Sequence, residues 1–98
     1  MTLLEERLAA LAAAGETVAY GQIARDLGLS MADLTGRLEA LMEEDAAQGR
    51  PFRAALLRQR LSPVGLPAPG FYQKAAGLGR PDLDAEAERR ALFAAARA

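Results

Sequence analysis

The chain has no cysteine, no histidine and no tryptophan. Without cysteine there are no disulfides and no thiolate nucleophile; without histidine as well, the two commonest zinc ligands are missing. Rings are scarce, with three Phe and two Tyr, so Leu, Val and Ile must supply most of the core. No apolar run is long enough to cross a bilayer. The N-terminal stretch MTLLEERLAALAAAG is broken by Glu5, Glu6 and Arg7 and does not read as a signal peptide. These absences lead to the expectation of a cytoplasmic protein with no membrane partner and no metal.

Catalytic chemistry is also thinly supplied. The hydroxyl nucleophiles are confined to Ser30, Ser62, Thr2, Thr17 and Thr35, and three of these sit where helices start or approach. No Gly-rich loop runs into Lys-Ser or Lys-Thr, so a nucleotide-phosphate cradle is not indicated. A protein without enzymatic activity and without a cofactor is expected.

What is present is a clear succession of helix starts and stops. Thr2 and Glu5 form a capping box ahead of Leu4, Leu8 and Leu11, and Gly15 ends that helix. Thr17-Val18 is short and β-prone. A second helix is read from Tyr20 to Leu27, with Ile23, Ala24 and Leu27 facing inward and Gly28 as its stop. Ser30 caps a third helix carrying Leu34, Leu38, Leu41 and Met42 on one face, reaching about Gln48 before Gly49-Arg50-Pro51 closes it.

Beyond Pro51 the segment Phe52–Leu61 is expected to be a strand, covered on both faces over Ala54–Leu57 and projecting over Arg58–Arg60. The proline-rich loop SPVGLPAPG is read as a rigid connection that delivers Phe71 to the core. A short helix over Gly70–Leu78 and a last one from Asp84, anchored by Leu92 and Phe93, complete the chain. The fold class is therefore mainly α (α+β). Residues 1–80 are read as a winged helix-turn-helix domain, and 81–98 as a C-terminal helix, packed on it or forming a dimer. A plain helical bundle with a loop over 50–70 is the alternative architecture.

The near-neutral total charge of −1 hides a strong asymmetry. Residues 1–49 hold nine acids and three bases, whereas 50–80 hold six bases and no acid: Arg50, Arg53, Arg58, Arg60, Lys74 and Arg80. The third helix carries Asp33, Glu39, Glu43, Glu44 and Asp45 against Arg37 alone, which disfavours its lying full length in a DNA groove. The basic segment is the candidate contact for phosphates; about four neutralised phosphates would give a salt slope of about −3.6.

At GETVAYGQIARDLG the sequence resembles the C-terminal winged-helix domain of alkylguanine-DNA alkyltransferases and alkyltransferase-like proteins, through Gly15, Glu16, Thr17, Val18, Tyr20, Gly21, Ile23 and Ala24. A looser similarity extends over RPFRAALL and VGLPAPGFYQK. The family's reactive Pro-Cys-His-Arg centre has no counterpart, so the resemblance carries no alkyl transfer. It implies a DNA-contacting role for Tyr20, and Arg37 is the base nearest to the family's arginine finger.

Two functional readings follow. In the first, a non-enzymatic module binds nucleic acid, DNA in particular, through a basic wing with weak sequence preference, using Tyr20, Arg37, Arg53, Arg58, Arg60, Lys74 and Arg80. In the second, the acidic third helix and the basic 50–80 segment meet a protein partner or a second copy of the chain.

Overall fold

A computed structural model describes residues 2–98. Five helices and a two-stranded sheet follow in the order α1 (Leu3–Ala14), β1 (Val18–Ala19), α2 (Tyr20–Leu27), α3 (Met31–Ala47), β2 (Leu57–Arg58), α4 (Pro69–Gly77) and α5 (Ala85–Arg97), with a 3₁₀ turn over Arg53–Leu56 ahead of β2. The protein is thus mainly helical with a small parallel sheet, in which Val18 pairs with Leu57 and Ala19 with Arg58. No helix among the described residues is long and apolar enough to cross a membrane.

The helix boundaries follow local chemistry. Thr2 Oγ1 accepts from the Glu5 N–H at 3.2 Å while the Glu5 carboxylate accepts from the Thr2 N–H at 3.3 Å, so two of the free amide groups at the start of α1 are satisfied. Ser30 Oγ accepts from Asp33 N–H at 3.1 Å at the start of α3. Gly15 ends α1 in the left-handed region at φ 69°, and a Cβ there would also meet Nη2 of Arg97 at 3.0 Å. A side chain at Gly15 would therefore be strained by its backbone and crowded by the end of α5.

One core joins all of these elements. Leu4 and Leu8 of α1, Ile23 of α2, Leu34 and Leu38 of α3, Phe52, Leu56, Leu57 and Phe71 of α4 are buried together. Phe52 and Phe71 meet edge to face with centroids 6.1 Å apart, and the guanidinium of Arg80 covers the Phe52 ring at 4.1 Å. Removing a side chain of this class from water stabilises the fold by about 1.5–3 kcal/mol.

The strand expected over Phe52–Leu61 is cut to two residues, Leu57 and Arg58. Ala54, Ala55, Leu56 and Leu57 are consecutive and all buried, as expected of a segment covered on both faces, but the first three lie in a 3₁₀ turn and not in a strand. The 3₁₀ turn buries Ala54, Ala55 and Leu56 on successive sides, and Leu57 follows as the first residue of β2. The backbone donors ahead of it go to carboxylates rather than to a neighbouring strand: Phe52 N–H to Glu88 at 2.6 Å and Arg53 N–H to Asp45 at 3.0 Å. Beyond β2 the chain turns back in a loop closed by Gln59 N–H on the Leu66 carbonyl at 2.9 Å.

Candidate functional site

A cleft of about 480 Å³ lies between α3 and α4. Its α3 wall is built from Met31, Thr35, Leu38, Glu39 and Met42, positions that return to one helix face at three- and four-residue intervals. Phe71, Gln73 and Lys74 of α4 form the opposing wall, and Tyr20 and Ala54 also line it. The Lys74 ammonium reaches across to Glu43 at 3.5 Å, tying the two walls together. Met31 is 51 % exposed, while Glu39 is solvent-facing with no base within ion-pair distance among the described residues.

Tyr20 starts α2 and is half-buried in this cleft. Its hydroxyl accepts from the Ala68 N–H at 3.0 Å, holding the segment that leads into α4. Burial raises the phenol above its ordinary value, an effect larger than the opposing bond from Ala68.

The basic segment is not a free positive surface. Asp45, 0 % exposed, gathers Arg50 at 3.1 Å and Arg53 at 3.0 Å. Arg53 also contacts Glu5 at 3.2 Å and Glu44 at 3.6 Å. Burial works against the charge of Arg53, but the bonds and attraction from Asp45 and Glu5 outweigh it, and the guanidinium is held above its usual value. Arg80 lies 3.5 Å from Glu88 as well as over Phe52. Four of the six bases are therefore engaged with acids of the same chain: Arg50, Arg53, Lys74 and Arg80.

Arg58 and Arg60 are the remaining two, without an acid in ion-pair range among the described residues. They sit at the base of the loop whose tip exposes Leu61 by 89 % and Val64 by 66 %. Arg37 is exposed beside a small depression formed by Leu3, Leu4, Leu27 and Leu29. The residues expected to act together are thus dispersed: Tyr20 and Lys74 share the cleft, Arg58 and Arg60 the loop, and Arg53 and Arg80 are occupied in internal pairs.

Two charged residues central to the structure escaped the sequence reading, although a signal was there. Asp45 continues the buried stripe of Leu34, Leu38, Leu41 and Met42, and Arg89 falls one turn after the buried Ala85 of α5. Counted in the sequence with the other acids of the third helix, Asp45 lies on the core face and is the hub of an ion-pair network. Arg89 is 9 % exposed and donates from Nε to the Ala55 carbonyl at 2.6 Å and from Nη2 to that of Leu57 at 3.3 Å.

Among the described residues there is no group of three or more Asp or Glu placed to hold a metal ion. Compared with known proteins, the chain matches no family model, no curated protein and no solved structure.

Proposed function

We propose that this chain is a non-enzymatic binding module whose α3–α4 cleft receives the apolar face of an amphipathic, basic segment of a partner protein. The observation that carries the reading is the pairing of an open apolar cleft with a free acid on its wall. Met31 offers exposed apolar surface of the adaptable kind that receives helix faces, above a cleft floor formed by the buried Leu38, Met42 and Phe71. Glu39 on that wall and Asp33 one turn from the start of α3 have no base in ion-pair range among the described residues, so a cationic flank on the partner would meet complementary charge.

The test is a titration of the labelled protein with a helical Leu/Lys peptide and with its Leu/Glu counterpart, followed by amide resonances. The reading expects saturable shifts at Met31, Thr35 and Phe71 with the first peptide only, weakened by Met31→Asp and by Glu39→Lys. Shifts scattered over the whole acidic surface, or equal binding of both peptides, would overturn it. A doubled mass in sedimentation, with the same residues perturbed, would make the occupant a second copy.

A second reading, nucleic-acid binding, rests on Arg58 and Arg60, the two bases of the segment left without acids. In it, the order of α1, α2, α3 and β2 is a winged helix-turn-helix and the loop after β2 its wing. The resemblance of Gly15–Ala24 to the alkyltransferase winged-helix domain supports this architecture. Tyr20 would then act at the edge of the contact, although its hydroxyl already accepts from Ala68. With two contacts in place of four, the affinity would be low and its salt slope about −1.8.

A further inference from the structure

The loop after β2 is built from two consecutive turns. Ser62 N–H donates to the Gln59 carbonyl at 3.3 Å, and Gly65 N–H to the Ser62 carbonyl at 3.2 Å. Arg60 and Leu61 occupy the corner of the first turn, Pro63 and Val64 that of the second, and all four are exposed. Leu61 is 89 % exposed and Val64 66 %; among the described residues only Leu3 and Met31 are large apolar side chains left similarly open. A single exposed aliphatic residue is ordinary on a protein surface. Here two stand on adjacent turns of one short loop, with a base beside them.

The loop also bonds its own polar groups. Gln59 joins its two ends, through its N–H to the Leu66 carbonyl at 2.9 Å and its Nε2 to the Pro67 carbonyl at 3.3 Å. Ser62 Oγ accepts from the Leu66 N–H at 3.1 Å, and Pro63 has no N–H to leave free. Amides bonded inside the loop reduce the cost of taking the tip out of water. Arg58 stands at its foot, with Cδ 3.7 Å from where a Cβ on Gly65 would lie. Neither Arg58 nor Arg60 has an acid in ion-pair range among the described residues, and the sequence holds no acid between Asp45 and Asp82.

We propose that this loop docks the protein reversibly on the surface of an anionic phospholipid bilayer. Leu61 and Val64 enter the boundary between headgroups and acyl chains, and Arg58 and Arg60 meet the lipid phosphates from above. A nucleic-acid backbone would use the same guanidinium groups but offers nothing to Leu61 and Val64. It is also bound partly through free N–H and hydroxyl donors, which this loop uses on itself. No aromatic ring lies between Arg58 and Leu66 to stack on a base. A protein partner would need an apolar patch bordered by acids, whereas an anionic bilayer presents that pairing everywhere. The contact requires no membrane-spanning helix and does not depend on what occupies the α3–α4 cleft. Two aliphatic side chains and two bases make it weak, since even a single acyl anchor binds only marginally.

Because the chain has no tryptophan, Val64→Trp places its only indole at the tip. Emission is followed with vesicles of phosphatidylcholine alone and with mixed phosphatidylserine–phosphatidylcholine vesicles. The mixed vesicles should shift the emission to the blue and allow quenching by lipids brominated along the acyl chain; neutral vesicles should do so far less. In this background Arg58→Gln and Arg60→Gln should each lower partitioning about fivefold, the loss for one base near an anionic surface. Leu61→Ser should lower it about tenfold. Flotation of the unsubstituted protein with the mixed vesicles makes the result independent of the added indole. Equal responses to both vesicles, no quenching from within the bilayer, or a parent protein that does not float would overturn the proposal. A tip that responds to a single-stranded oligonucleotide and not to vesicles would overturn it in favour of nucleic acid. A doubled mass that buries the indole without lipid would overturn it in favour of a second copy.

Discussion

The carboxylate of Asp45 accepts both the backbone N–H of Arg53, at 3.0 Å, and its side-chain Nε–H, at 3.0 Å, so one acid fixes the position and the direction of one base. Arg53 opens the 3₁₀ turn, and Asp45 lies in the last turns of α3. This contact therefore locks the chain as it leaves the long helix and enters the core. It also removes from the surface a charge that the sequence offers as a contact for phosphate.

Breaking this pair from one side should be severe. Asp45→Ala leaves Arg53 and Arg50 without their shared acceptor and the Arg53 N–H unpaired, and loss of one partner of a buried pair costs about 3–5 kcal/mol. A double change, Asp45→Leu with Arg53→Met, should recover part of that loss, because no charge is then left uncompensated. Urea denaturation of the parent, both single variants and the double variant checks this as a cycle.

Acid should reach the same network through Glu5. Its carboxyl is held below its ordinary 4.5, first by the Thr2 N–H and next by Arg53. A carboxyl with a depressed folded value contributes stability that is full above its unfolded value and lost as pH falls through the folded one. Stability should thus decline as pH drops below 4.5, and Glu5→Gln should flatten part of that decline. Thermal melts of both proteins between neutral pH and strong acid make the comparison.

The Tyr20 hydroxyl is a clamp on the approach to α4. Tyr20→Phe keeps the ring in the cleft and deletes the acceptor for the Ala68 N–H. The expected cost is about 1–2 kcal/mol, that of a partly buried donor left without its partner. Hydrogen exchange at Ala68 should accelerate by more than at Phe71, whose N–H is bonded separately to the Ala68 carbonyl at 3.0 Å. Equal acceleration at both would mean that the whole helix had loosened.

The helices were legible because their signals are local. Thr2 with Glu5, Ser30 with Asp33, and Gly15 and Gly28 in the left-handed region act within a turn of the boundaries they set. The segment after Pro51 was not, since its conformation depends on acids in other elements: Glu88 of α5 for Phe52, Asp45 of α3 for Arg53. The same dependence hid the fate of the bases. Arg53 meets Glu5 across nearly half the chain, and charge counts along a sequence do not reveal which opposite charges the core will bring together. The cleft depends on the separation of α3 and α4, which neither helix encodes alone.

The packing of Phe52 between Phe71 and Arg80 gives a stability test that is separate from binding. Phe52 is fully buried against Phe71 and under Arg80, so Phe52→Ala should cost about 3–5 kcal/mol. Arg80→Ala should cost far less, about 0.5–2 kcal/mol for the cation over the ring. Since Arg80 is also near Glu88, salt should reduce its contribution only in part. Denaturation in low and high salt distinguishes the ring contact from the ion pair.

Charge reversal on the loop decides how much nucleic-acid binding the protein can have. Arg58→Glu with Arg60→Glu removes the two unpaired bases of the middle segment and leaves the Asp45 network intact. If the loop holds phosphates, retention on an oligonucleotide column should weaken, and its dependence on salt should lose about 1.8 in slope, about 0.9 for each contact. If instead Arg50, Arg53, Lys74 and Arg80 carried the binding, their acids would have to be displaced first, and reversal at Arg58 and Arg60 would leave the slope nearly unchanged. A protein with no salt-dependent retention before the change would end the nucleic-acid reading, because no other pair of free arginines in that segment is available to sustain it.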